Sequence, residues 1–127
     1  MGTRAPTGIV LADTDGVIAW WSAGAEQLLG YAPAEAVGHP LDLIVPEAHR
    51  TGHWAGFQRA METGVCRLDR GATNLPVLHR DGSERVLPAR FVFLTDARDA
   101  AVGAMAIYAE PVGGEEPWGA ILPRGVP

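Results

Sequence analysis

Apolar positions near the start of the chain fall in two short runs, Ile9 to Ala12 and Val17 to Trp21, with Asp-Thr-Asp-Gly between them. Two such runs around a polar turn ending in glycine spell a β-hairpin, with Gly16 at a position that needs positive φ. Asp13 and Asp15 flank the turn, where short carboxylates serve backbone N–H groups. Ser22 then stands as N-cap of a helix carrying Ala25, Leu28 and Leu29 on one face and stopping at Gly30. A second short helix is expected over "APAEAVG", with Pro33 in its first turn and Gly38 at its end. "HPLDLIVPEAHRTGHWAGFQRAMETG" leads through Leu41, Leu43, Ile44 and Val45 into a longer helix from near Pro46 to Gly64.

Beyond Gly64 the apolar period changes to two, the period of a strand. Three strands are predicted within "CRLDRGATNLPVLHRDGSERVLPARFVFLTDARDAAVGAMAIYAEP", broken at "RDGS" and "DARDAAVG". Val86, Ala89, Phe91 and Phe93 do not all fall on one face of a regular strand, so Pro88 points to a bulge or an edge position. Trp20 and Trp21 point to opposite sides of their strand. The outward one, with Ile18 or Trp118, is either a dimer contact or an aromatic lying beneath the tail. Two strands, short helices, then three strands describe an α+β domain whose antiparallel sheet is covered on one face by helices. The expected division is an N-terminal segment over 1–7, the domain over 8–111 and a Gly/Pro-rich tail over 112–127.

The 127 residues suffice for one domain with a core, and 47% hydrophobic with 20% charged residues is a globular composition. A net charge of −5 without a basic cluster argues against nucleic acid and anionic membranes as partners. "MGTRAPTG" lacks the apolar core of a signal peptide, no apolar run nears the roughly 20 residues of a membrane span, and Cys66 stands alone. A cytoplasmic protein is the expectation. No nucleophile elbow, phosphate loop or paired-carboxylate site is present, so the chain is not expected to be an enzyme.

The long helix holds the candidate chemistry. At 3.6 residues per turn His53, Phe57, Ala60 and Met61 share one side, while Arg50, Gln58 and Glu62 fall towards the other. An inward histidine is either a core residue bonded to a carbonyl or water, or an axial ligand to haem iron walled by apolar side chains. His49 and His53 have zinc spacing but lack a third ligand and a general base. His39 and His79 stand in loop contexts and read as solvated.

"IVLADTDGVIAWWSAGAEQLLGYAPAEAVGHPLDLIVPEAHR" and "HRDGSERVLPARFVFLTDARDAAVGAMAIYAEP" resemble the two halves of the PAS sensory domains, from about Gly8 to Pro111. Ser22 replaces a frequent asparagine of the family, and both cap helices. The resemblance implies a five-stranded antiparallel sheet that, with the helices, encloses a small-molecule pocket. "PEAHRTGHWAGFQRAMETG" is similar to the long helix of the oxygen-sensing haem PAS histidine kinases. That similarity implies haem b held by His53, propionates met by Arg59 and Arg67, and contacts from Phe57, Leu68, Thr73, Ala89 and Phe91. Those kinases place an arginine where this chain has Thr73, beside Asn74. Without that cation, bound oxygen loses a charge-assisted donor and carbon monoxide or nitric oxide is comparatively favoured. "TGVCRLDR" does not resemble the reactive-cysteine stretch of the flavin-binding branch. The implied function is a sensor of a diatomic gas or small molecule, as a homodimer with a separate output protein. The alternative is a haem-free interaction module in which Phe91, Met105 and Trp54 close the core.

Overall fold

The first hairpin forms where Asp-Thr-Asp-Gly places it: β1 (Thr7–Ala12) pairs antiparallel with β2 (Ile18–Trp21), setting Val10 opposite Trp21 and Leu11 opposite Trp20. Asp13 Oδ1 accepts the N–H groups of Asp15 and Val17 at 2.9 and 3.0 Å, and Gly16 turns the chain at φ 76°. The structure, a computed structural model, describes residues 6–63 and 73–111. Trp21 is the inward tryptophan and Trp20 the outward one, at 3% and 48% exposure. Ile18, expected beside the outward ring, is instead buried in the core, so it is no part of an exposed contact; Trp118 lies outside the described residues.

Helix α1 (Ala23–Leu29) is capped by Ser22, whose Oγ accepts the Ala25 N–H at 3.1 Å. The same oxygen accepts the Ile9 N–H at 2.8 Å, so the cap also fastens the helix to β1. Gly30 ends α1 at φ 90°, and the short α2 (Pro33–Ala36) follows. Two 3-10 turns, Leu41–Ile44 and Glu47–His49, precede α3 (Arg50–Thr63), which therefore starts later than Pro46. Arg50 accounts for the delay. Its Nε donates to the Val45 carbonyl at 3.0 Å and its Nη2 to the Asp42 carbonyl at 3.3 Å, holding the preceding segment in its tight turns. Arg50 is accordingly half-buried, not directed outward with Gln58 and Glu62.

The last three strands are β3 (Thr73–Leu78), β4 (Glu84–Thr95) and β5 (Ala101–Ala109), and the sheet order is β2-β1-β5-β4-β3, antiparallel throughout. Pro88 is not at a bulge but holds an edge position: the stretch of β4 up to it pairs with β3 alone. The ladder to β5 begins at Ala89 opposite Tyr108, one residue after the proline, and the irregularity of β4 falls at Leu94–Thr95. Ala89, Phe91 and Phe93 share the inner face, and Val86 points the other way at 55% exposure. Val10, Ile18, Trp21, Ala25 and Leu29 knit the first hairpin and α1 into the core. The Trp21 Nε1 donates to the Tyr31 carbonyl at 2.8 Å, giving its buried polar edge a partner. This is the α+β architecture expected: one five-stranded sheet with helices on one face.

Candidate ligand cavity

Helix α3 departs from the rest of the helical layer, because Ala60 is its one fully buried residue. The positions it turns towards the sheet are small and four apart: Gly52, Gly56 and Ala60, continuing a row begun by Ala48. Facing them on the sheet are Ala12, Ala104 and Ala106, with Ala12 directly opposite Ala104 and Val10 opposite Ala106. Small side chains on both walls leave the gap unfilled, and the result is a cavity of about 500 Å³. That lies within the roughly 300–1,000 Å³ of small-molecule sites. A Cβ added at Gly52 or Gly56 meets nothing within 4 Å. Phe57, Phe91, Phe93, Leu75 and Ile44 complete a largely apolar lining.

The N-terminal end of α3 is fixed by Trp54, whose Nε1 donates to Asp42 Oδ1 at 2.6 Å and whose ring packs on Gly16. A side chain at Gly16 would strike that ring, so the turn needs glycine for space as well as for φ. His53 lies against Trp54 and Phe57, with ring centroids 5.0 and 6.1 Å away, and lines the cavity. Its Nδ1 is buried and has no hydrogen-bond partner among the described residues. Burial lowers the His53 pKa below the ordinary histidine value, and the nearby Asp42 carboxylate opposes that shift only partly. The imidazole is thus held neutral, the form that binds metals.

The lowered pKa carries a pH signature. Above the unfolded-state value both states hold a neutral ring; below it the unfolded chain takes up a proton that the folded chain resists, so stability falls as pH drops. Denaturant unfolding at pH 7.5 and 5.5 should show a larger loss in the parent than in His53→Gln. Equal losses would show that His53 does not resist protonation.

Of the other residues expected at the site, Phe57, Arg59 and Phe91 line the cavity, Arg59 from its exposed mouth. Ala89 and Thr73 do not. Ala89 is fully buried within the core, and Thr73 sits opposite it at the start of β3; Asn74 is exposed on the alternate face. Arg67 and Leu68 lie outside the described residues. Met105 alternates with Ala104 and Ala106, points to the outer face and cannot close the core. His79 is not solvated: its side chain is 16% exposed and its Nδ1 accepts the Asp81 N–H at 3.1 Å. Among the described residues no group of three His, Cys, Asp or Glu side chains gathers to hold a metal ion; haem needs only one protein ligand.

One cavity residue was missed by sequence reasoning. Tyr108 on β5 lines the cavity, is 5% exposed, and its hydroxyl makes no hydrogen bond to the described residues. Burial pushes its pKa far above the ordinary phenol value, so it is a neutral donor. The signal was its spacing of two from Ala106 and four from Ala104 along one strand.

A five-stranded sheet hollowed beneath one helix agrees with the family comparison. A profile of the PAS fold family matches residues 3–111, and the chain belongs to that family. It is similar to a probable serine/threonine-protein kinase of Dictyostelium discoideum, 28% identical over 75 residues, or 58% of this chain and 5% of that protein. It is also similar to the oxygen sensor protein DosP of Escherichia coli strain K12, 27% identical over 77 residues, covering 61% of this chain and 10% of that one. The chain thus spans a small fraction of the curated relatives it matches. Among solved structures, the PAS domain of the Cronobacter turicensis quorum-sensing receptor RpfR, in complex with C12:0, superposes with a TM-score of 0.64 at 16% identity, covering 88% of this chain and all of that one. PAS folds bearing unlike ligands place the weight of any functional argument on this cavity's own residues.

Proposed function

We propose that this PAS domain is a sensor whose cavity takes up haem b through His53. The observation that carries the reading is a neutral imidazole that lines an apolar cavity of about 500 Å³, its Nδ1 closed off and without a hydrogen-bond partner among the described residues. A histidine filling an ordinary core position finds a carbonyl or a hydroxyl, because an orphaned buried polar atom costs about 1–3 kcal/mol. His53 would hold the group. Phe57 and Phe91 offer it apolar surface, and Arg59 at the exposed mouth offers a guanidinium to a propionate. When bound, haem would supply an iron centre able to take up a diatomic gas. The cavity's one arginine among the described residues is Arg59 at the mouth, which favours carbon monoxide or nitric oxide over oxygen. The similarity to DosP, an oxygen sensor by name, supports gas sensing as the class of function. In it, the domain is no enzyme; occupancy is passed to a second copy or an output protein through the outer sheet face, where Trp20 is 48% exposed.

The test is a hemin titration followed by absorbance. The expected result is a saturable Soret band at one haem per chain, lost in His53→Ala while the cooperative unfolding transition persists. An identical spectrum in His53→Ala, or none in the parent, overturns the assignment. The RpfR complex and the apolar lining support a second reading, an organic amphiphile in the same space. A colourless protein after hemin addition would leave that one.

A further inference from the structure

The deep wall of the cavity and its helix wall differ in chemistry. On the sheet side the lining includes Val10, Phe91, Ala104, Ala106 and Tyr108, and Tyr108 brings the cavity's one side-chain hydroxyl among the described residues. This side chain is more than nine-tenths buried and its hydroxyl goes unpaired among the described residues. The hydroxyl finds no acceptor among the described residues, and a phenylalanine would fill the same volume without bringing an unmet donor to an apolar cavity. Tyrosine at this position is therefore explained if something else accepts its proton.

We propose that Tyr108 is a ligand-selecting residue: its hydroxyl donates to an oxygen of the molecule in the cavity, and the preferred occupant is an uncharged, apolar-bodied molecule carrying one carbonyl, ester or hydroxyl oxygen. Three observations fix the class. The donor is neutral, so the acceptor receives an ordinary hydrogen bond rather than an ion pair. Arg90, whose Nε is buried, alternates with Phe91 onto the other face of β4 and is not part of the lining, so a carboxylate driven to this depth would be desolvated without a counter-ion. The one arginine in the lining, Arg59, is exposed, which leaves anionic groups to the mouth. The inference rests on the cavity being the ligand site and does not depend on iron.

The probe pair is 6-propionyl-2-(dimethylamino)naphthalene and its 6-propyl analogue, which differ only in a carbonyl against a methylene, both titrated by fluorescence into haem-free protein. The expected result is tighter binding of the ketone by the parent, with emission shifted to longer wavelength by a hydrogen-bonded carbonyl. Tyr108→Phe should weaken the ketone by roughly two- to tenfold, the worth of one neutral hydrogen bond. It should also move the emission to shorter wavelength and leave the hydrocarbon unchanged. Equal ketone affinity and emission in parent and Tyr108→Phe overturns the role of Tyr108 while leaving the cavity as a ligand site. Failure of both probes to bind the parent overturns the ligand-site premise as well. Because the parent's own emission reports the bond, the test does not hang on the variant's folding.

Discussion

Gly24→Ala should cost the domain about 3 kcal/mol or more and lower its thermal midpoint by roughly 10–20 °C, by the usual scaling for a domain of about this size. A Cβ at Gly24 lands on the carbonyl of Thr7, an atom of β1 that has no rotamer to change. Gly8 shows the same closeness from the other side, since a Cβ there would come within 3.0 Å of the Ala25 Cα. Helix and strand thus touch backbone to backbone, and the added methyl is relieved only by lifting α1. Lifting it exposes Leu28 and Leu29, at 7% and 0% exposure, and breaks the bond from the Ile9 N–H to the Ser22 cap. Helix propensity pulls the other way by up to about 1 kcal/mol. Overpacking of a tight contact commonly costs about 1–3 kcal/mol on its own, so with the lost burial the steric term wins. Gly52→Ala is the control: open space receives its methyl, and urea unfolding should show no loss. An unchanged midpoint in Gly24→Ala would mean that α1 does not sit this close to β1.

The parts of the fold written by local rules were legible in the sequence. Asp13, Gly16, Ser22 and Gly30 each act on backbone groups within a few residues, so their types and spacing announce the hairpin, the cap and the stop. Where a long-range partner decides, reading failed. The start of α3 depends on Arg50 reaching back to Asp42 and Val45, and a helical wheel assigns that side chain to solvent. Pro88 was legible as a bulge or an edge position, and which of the two holds is decided by where the β5 ladder begins.

The site divides in the same way. The inward face of His53 followed from helical periodicity, and the Phe91 wall from the family resemblance. A resemblance says which positions line the family's pocket, not how far along this strand a hollow extends. Ala89 therefore counted as wall although it lies in the packed core. The row Ala48, Gly52, Gly56, Ala60 was plain to see, yet small residues at that spacing more often let a helix settle closer to its neighbour. Whether they close or hollow the interface is decided by Ala12, Ala104 and Ala106, brought opposite them only by the register of β1 and β5. Tyr108 follows from that same register, which is why it emerged with the cavity and not before it.

That origin of the cavity supplies the second large effect: Gly56→Leu should reduce hemin uptake by more than tenfold while leaving stability equal or higher. Nothing lies within 4 Å of a Cβ at this position, and the residue lines the cavity between Gly52 and Ala60 on one helix face. Gly56 is exposed along the open side of the cavity, so an isobutyl group there meets none of the resistance that a packed core offers. Replacing a mid-helix glycine also gains up to about 1 kcal/mol from propensity. The occupant meets a side chain where it needs room, and function and stability move in opposite directions. Gln58→Leu on the exposed side of α3 should change neither. The comparison with His53→Ala then separates space from chemistry. Removing the imidazole deletes the proposed iron ligand but enlarges the hollow, so the naphthalene probes should still bind; Gly56→Leu should exclude haem and probes alike. Unaltered hemin and probe titrations in Gly56→Leu, with the protein folded, would place the binding site somewhere other than beneath α3.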